Sequence, residues 1–377
     1  MSLRKIVAVT RKEFYHLMRD PRSLILAFVM PLCLILMFGY ALSLDVNNVE
    51  VVFVDYDRTD LSRDLIRRID ASPYFHVGAS LRNAREVAGY LDRGWTEIGI
   101  VIPPDFTRNI RSERPAPLQV LMDGSDPNFA SISRGYINAF IERYNRMLLL
   151  EFLDKKGVER IKPPVEGRIR VWFNEDLESR KFIVPGLIAV IIMIAGAMLT
   201  SLVIAREYEN GTMETIKSLP ITAFELLMGK SIPYFIIALS NVLISVLLAQ
   251  VLFGIVMKAS FWLMMAASAI YIFVALALGL LISTATKSQL LANQGAILLT
   301  FLPSQMLSDF IFPVSNMPKA LQLVTYAVPA KYYINILGGI FLKDLPFMSM
   351  WKDFAVLALM FLLMAFISMR LLKKEGL

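Results

Sequence analysis

Six long apolar runs dominate this sequence, five of them free of charged side chains and the sixth carrying only Asp309. They occupy residues 24–44, 182–205, 232–257, 261–283, 290–312 and 354–369. A helix that crosses a hydrocarbon core of about 30 Å needs roughly 20 mainly apolar residues, so each run reads as a transmembrane helix. The composition agrees, since 56% apolar residues and a mean hydropathy of +0.56 lie outside the range of soluble domains. Pro31 interrupts the first run, which a helix in lipid tolerates. The last run is short and is expected to borrow Trp351 and the aliphatic stem of Arg370.

The first run is expected to be a permanent anchor. It is preceded by Arg4, Lys5, Arg11, Lys12, Glu13 and Asp20, a pattern that predicts an amphipathic interface helix over residues 1–23, and no small-residue cleavage site follows.

Short loops set orientation, because positive residues stay on the cytoplasmic side. The N-terminal stretch, the 206–230 loop, Lys287 and the tail residues Arg370, Lys373 and Lys374 share one side, which predicts cytoplasmic N and C termini. The opposite side holds Lys258, Lys319, Lys331, Lys343 and Lys352. The net charge of +7 does not point to nucleic acid, since residues 45–181 contain 21 Lys and Arg against 22 Asp and Glu and the excess flanks the spans. Cys33 alone forms no internal disulfide, and with only His16 and His76 no histidine-based metal site is expected, which leaves carboxylate sites open; no metal ligand is assigned.

Residues 45–181 are long enough to form a domain. Strands are expected over 48–55, 96–102, 118–122 and 168–173, and helices over 61–69, 84–91 and 132–153, which together predict a small extracytoplasmic α/β domain. The fold class is thus a mainly α-helical polytopic membrane protein: six transmembrane helices with that domain inserted between the first two. Residues 313–346, broken by Pro318, Pro329 and Gly338, are expected to form two short helices on the outer face, with Tyr326, Tyr332 and Tyr333 at headgroup depth.

Catalytic patterns are missing. Gly229-Lys230-Ser231 looks like the end of a phosphate-binding loop, but Phe224 stands where its first glycine belongs. There is no H-E-x-x-H, G-x-S-x-G or C-x-x-C, so no catalytic residue is assigned. The loop 206–230 is more informative: Asn210-Gly211 predicts a turn, Thr212 a cap on a short helix to Leu219, Pro220 its stop, and Thr222 a second cap.

That loop resembles the signature of ABC-2 type transporter permeases, through Glu207, Glu209, Gly211, Thr212, Glu214, Pro220, Glu225 and Lys230. The N-terminal RKEFYHLMRDPRSL, DGSDPN at 123–128, FNEDLESRKFIVPGL at 173–187, FIFPVSNMP at 310–318 and the region 329–333 agree in the same order. Two residues depart from the pattern: Asp309 stands where a small residue, often glycine, is usual, and Tyr208 replaces a commonly basic one. The resemblance implies a permease subunit in a bacterial cytoplasmic (inner) membrane, exporting hydrophobic or amphipathic compounds such as drugs or lipids. It implies a dimer with an identical or related chain, contact with membrane lipid and a periplasmic adaptor as a further partner. This chain would bind no cofactor itself, with ATP and Mg used by a separate ATPase subunit. Glu207, Glu209, Gly211, Thr212, Met213, Glu214, Ile216, Leu219 and Pro220 are then the expected ATPase-coupling surface, with Met213, Ile216 and Leu219 filling a groove on that partner.

Polar residues within spans are costly unless they face protein or water, which marks Asn241, Gln250, Asn293, Gln294, Gln305 and Asp309 as candidates for a substrate path or outer gate. Their competing reading is hydrogen bonding between helices. The alternative for the whole chain is a membrane anchor whose outer domain binds a partner protein without transport.

Overall fold

The computed structural model describes residues 2–41, 48–155, 173 and 178–376. The chain is mostly helical with one small sheet and divides into two compact units, residues 1–43 with 171–377, and residues 44–170.

In chain order, α1 (Leu3–Met18) buries Ile6, Glu13 and Leu17, spaced by seven and four residues along one face. Then come α2 (Pro21–Leu24), a π-helical segment (Ile25–Val29) and α3 (Met30–Ala41), which cover the described part of the first apolar run. Residues 42–44 of that expected span lie outside the described residues.

The second unit holds β1 (Val49–Asp55), α4 (Asp60–Asp70), β2 (Phe75–Leu81), α5 (Ala84–Asp92), β3 (Ile98–Ile102), α6 (Phe106–Arg111), β4 (Gln119–Met122) and α7 (Pro127–Lys155). Its strand order is β2-β1-β3-β4, parallel except for β4. Alternation along β1 sends Val49, Val51 and Phe53 into a core with Leu65, Ile69, Phe106 and Tyr144, and Val52 and Val54 toward Val87 of α5. The α/β reading therefore holds, with two additions. Strand β2 (FHVGASL) and helix α6 were not foreseen, because Gly78 and a half-polar pattern weaken the first and six residues carry too little periodicity for the second. The strand expected over 168–173 lies outside the described residues apart from Phe173, which sits in a bend.

The first unit resumes with α8 (Arg180–Glu209), α9 (Thr212–Ser218), α10 (Ala223–Phe253), α11 (Phe261–Thr286), α12 (Gln289–Met306), α13 (Lys319–Thr325), α14 (Pro329–Gly338) and α15 (Phe347–Lys374). Among the described residues four helices are long and apolar enough to cross a membrane: α8, α10, α11 and α15. Helix α8 is central, with 94% of its most apolar window buried against 17% for α15. It packs closely on α11: a Cβ on Gly279 would lie 2.1 Å from Thr200 Oγ1 and 2.4 Å from the Ala197 carbonyl. The Thr200 and Tyr271 hydroxyls donate across this contact to the Leu276 and Ala189 carbonyls.

Two expectations change. Helix α12 ends at Met306 rather than at residue 312: Leu307 already leaves helical geometry, and Asp309, at φ +68°, then turns the chain. With 18 residues that include Asn293, Gln294 and Gln305, it falls short of the apolar windows of the other four. The last apolar run is extended as expected, since α15 runs for 28 residues and includes both Trp351 and Arg370. Tyr332 and Tyr333 are buried within the protein rather than turned outward: Tyr333 stacks on Tyr271 with ring centroids 4.0 Å apart and its hydroxyl lies 2.7 Å from that of Ser268. Tyr326 is exposed, with Lys331 over its ring.

Candidate functional site

The start of α10 is set by a capping box, in which the Thr222 hydroxyl accepts from the Glu225 N–H and the Glu225 carboxylate from the Thr222 N–H. Two turns on, Lys230 is carried into the protein with its side chain 2% exposed. A buried ammonium ion costs several kcal/mol unless it is paired. Here Nζ lies 2.8 Å from Glu207 Oε1 and 3.1 Å from Glu13 Oε2, and it also donates to the Val203 carbonyl at 3.4 Å. Lys12 reaches the same Glu207 oxygen at 3.2 Å, while the other accepts from the Thr212 hydroxyl. The second oxygen of Glu13 accepts from the Tyr234 hydroxyl at 2.9 Å. Two cations and two carboxylates thus balance, and they join α1, α8, α10 and the first residue of α9.

Further bonds seat α1 along α10. The Ser2 N–H donates to Glu225 at 2.7 Å, the Lys5 ammonium to the Pro220 carbonyl, and the Thr10 hydroxyl to the Gly229 carbonyl at 3.1 Å. Gly229 is required there, since a Cβ would lie 2.7 Å from Val9. Arg206 pairs with Asp20 at 3.3 Å.

The loop 206–230 follows its expected order with one change at the cap. Gly211, at φ +70°, occupies the N-cap position of α9 in the left-handed region that glycine favours, and Thr212 is turned to Glu207 instead of capping. Among the expected coupling residues, Met213 and Ile216 are buried in the chain's own core, one helical turn apart on the inner face. Glu207 is held by Lys230, and Glu209 accepts from the Gln289 backbone N–H at 2.7 Å. These four side chains are already engaged within the chain. Gly211, Thr212, Glu214, Leu219 and Pro220 are exposed, with Leu219 at 47%.

Beside this loop, Tyr208 lies under Lys217 and Lys287, and Lys287 pairs with Glu375 at 2.7 Å. The Lys287 hydrogen bond, with weaker attraction from Lys217, holds the Glu375 carboxyl below its ordinary value.

The six polar residues of the spans are not brought together. The buried Asn241 amide donates to the Ala27 carbonyl of the π-helical segment at 2.6 Å, tying α10 to the first apolar helix. Gln250 and Gln294 are exposed, and Asn293 and Gln305 half-buried. The Asp309 carboxylate accepts from the Val314 N–H at 2.7 Å and so holds the turn after α12. None of the six lines the apolar cavity of about 230 Å³ between Met193, Leu299, Pro303 and Val328.

Tyr234 was not singled out from the sequence, and Lys12 and Glu13 only as part of the charged pattern of the interface helix. One signal was available for Glu13: it stands on the apolar stripe shared with Ile6 and Leu17, where a carboxylate demands a partner.

The family profile of ABC-2 family transporter proteins matches residues 21–370. In Escherichia coli strain K12, the probable multidrug ABC transporter permease YbhS is 36% identical over 91% of this chain and 89% of its own length. A second such permease, YbhR, is 29% identical over 93% of both chains. The inner membrane transport permease YhhJ of the same organism is 27% identical over 82% of this chain and 81% of its own.

Proposed function

This chain belongs to the ABC-2 family of transporter proteins, and from that premise we propose that it is the membrane-spanning subunit of an ATP-driven exporter. In this reading a separate ATPase binds ATP and Mg, and a second permease chain, identical or related, completes the pathway. The six apolar runs all cross the membrane, with both termini cytoplasmic and the inserted α/β unit on the far side, as the distribution of Lys and Arg supports. The substrate is hydrophobic or amphipathic, a reading supported by the multidrug descriptions of YbhS and YbhR.

The observation that carries the proposal is the joining of α9 to three helices through one buried charge cluster. A short helix held this way moves only with α1, α8 and α10, so a partner that displaces it displaces all of them. The surface offered to that partner is the outer one: Gly211, Glu214, Leu219 and Pro220, with Met213 and Ile216 fixing the helix from within.

Isolation from native membrane should recover an ATPase in near-equal amount, and a Glu214→Lys, Leu219→Asp double variant should lose it while inserting normally. If no ATPase accompanies the parent protein, the exporter reading fails and the anchor reading, favoured by the separate core of the inserted unit, replaces it.

A further inference from the structure

The unit formed by residues 44–170 contains a cavity of about 540 Å³ between α7 and the stretch that joins α6 to β4. That volume is within the range of pockets that enclose one small molecule, roughly 300–1,000 Å³. It is a cleft open on one side, and its floor reaches the unit's core at Leu65 and Phe106, both buried. Ile110, Leu118, Ile141 and Leu148 continue the apolar wall. A cleft of this size with a mainly apolar lining has room for the body of one small molecule.

One polar feature limits what that occupant is. Arg114 is exposed and carries the only charge among the described lining residues. A guanidinium at the edge of an apolar cavity favours an anionic group there.

We infer that the cavity between α7 and the α6–β4 connection binds one amphipathic molecule, its hydrocarbon or aromatic body against Phe106, Ile110 and Leu148 and its anionic head at Arg114. The site lies within the inserted unit and does not depend on whether the chain transports.

The test uses the full chain in lipid nanodiscs with two photoactivatable probes, a diazirine-bearing palmitic acid and the corresponding uncharged alcohol. After irradiation and proteolysis, the acid should label peptides containing residues 106–118 and 141–148. Arg114→Gln should lower that acid labelling about fivefold, the size expected for one exposed ion pair, and leave labelling by the alcohol nearly unchanged. Ile110→Trp, which fills the cavity, should remove labelling by both. Labelling confined to the apolar helices would overturn the site. Acid labelling that is insensitive to Arg114→Gln would overturn the anionic head, and because Arg114 is exposed this second result is independent of folding.

Discussion

Lys230 shows how a single side chain can organise the segments around α9. It is 2% exposed and has two carboxylates within 3.1 Å, so its removal leaves Glu13 and Glu207 buried with Lys12 as their one remaining cation. Breaking a buried pair typically costs about 3–5 kcal/mol, whereas replacing charges in balance is far milder. Lys230→Met should therefore lower the thermal unfolding midpoint of the purified protein. Adding Glu13→Gln, which restores neutrality, should recover more than half of the loss. An unchanged midpoint in the single variant would mean that the cluster contributes nothing to stability. Asp309 teaches a related lesson. It stands where the resemblance implies a small residue, and it is accommodated by its left-handed backbone, which aspartate tolerates better than most residues, and by its bond to the Val314 N–H.

Among the elements, the α8–α11 contact depends on small residues. Apolar helices gain little from burial in lipid, so close van der Waals approach and interhelical hydrogen bonds hold them together. Gly279 permits that approach, with Ala275 beside Gly196. Gly279→Leu should cost about 1–3 kcal/mol by overpacking, because one of the atoms it meets is the Ala197 carbonyl, which cannot swing away. The measurement is the temperature at which the protein loses its monodisperse elution profile. Gly89→Ala in α5 is the control: a Cβ there meets nothing within 4 Å, and it should leave the profile unchanged or improve it. If the two variants behave alike, the contact is not limiting. Helix α9 marks the limit of reading elements locally. Its start at Gly211 and its stop before Pro220 follow from turn chemistry, but which of its faces turns inward does not, because seven residues fit equally well either way round.

For the whole molecule, the orientation in the membrane rests on the charge rule and is open to direct measurement. In a background with Cys33 replaced, Ser125→Cys should react with an impermeant maleimide in intact cells and Ser218→Cys only after permeabilisation. The opposite pattern would reverse the topology. The sequence alone was enough to establish a membrane protein, since long apolar runs have no other stable setting. The α/β character of the insert was equally legible in β1, α4, β3 and α7, because alternation and helical periodicity are local properties. So was the ABC-2 family, whose motifs are short and contiguous. What only the tertiary structure decided are the partners of groups far apart in the chain: that Glu207 and Glu13 both meet Lys230 rather than another protein, that Met213, Ile216 and Tyr333 turn inward, and that Asn241 serves the Ala27 carbonyl. Local patterns show that a side chain needs burial or a counter-charge, but the group that supplies it, more than 200 residues away for Lys230 and Glu13, is chosen only when the helices pack.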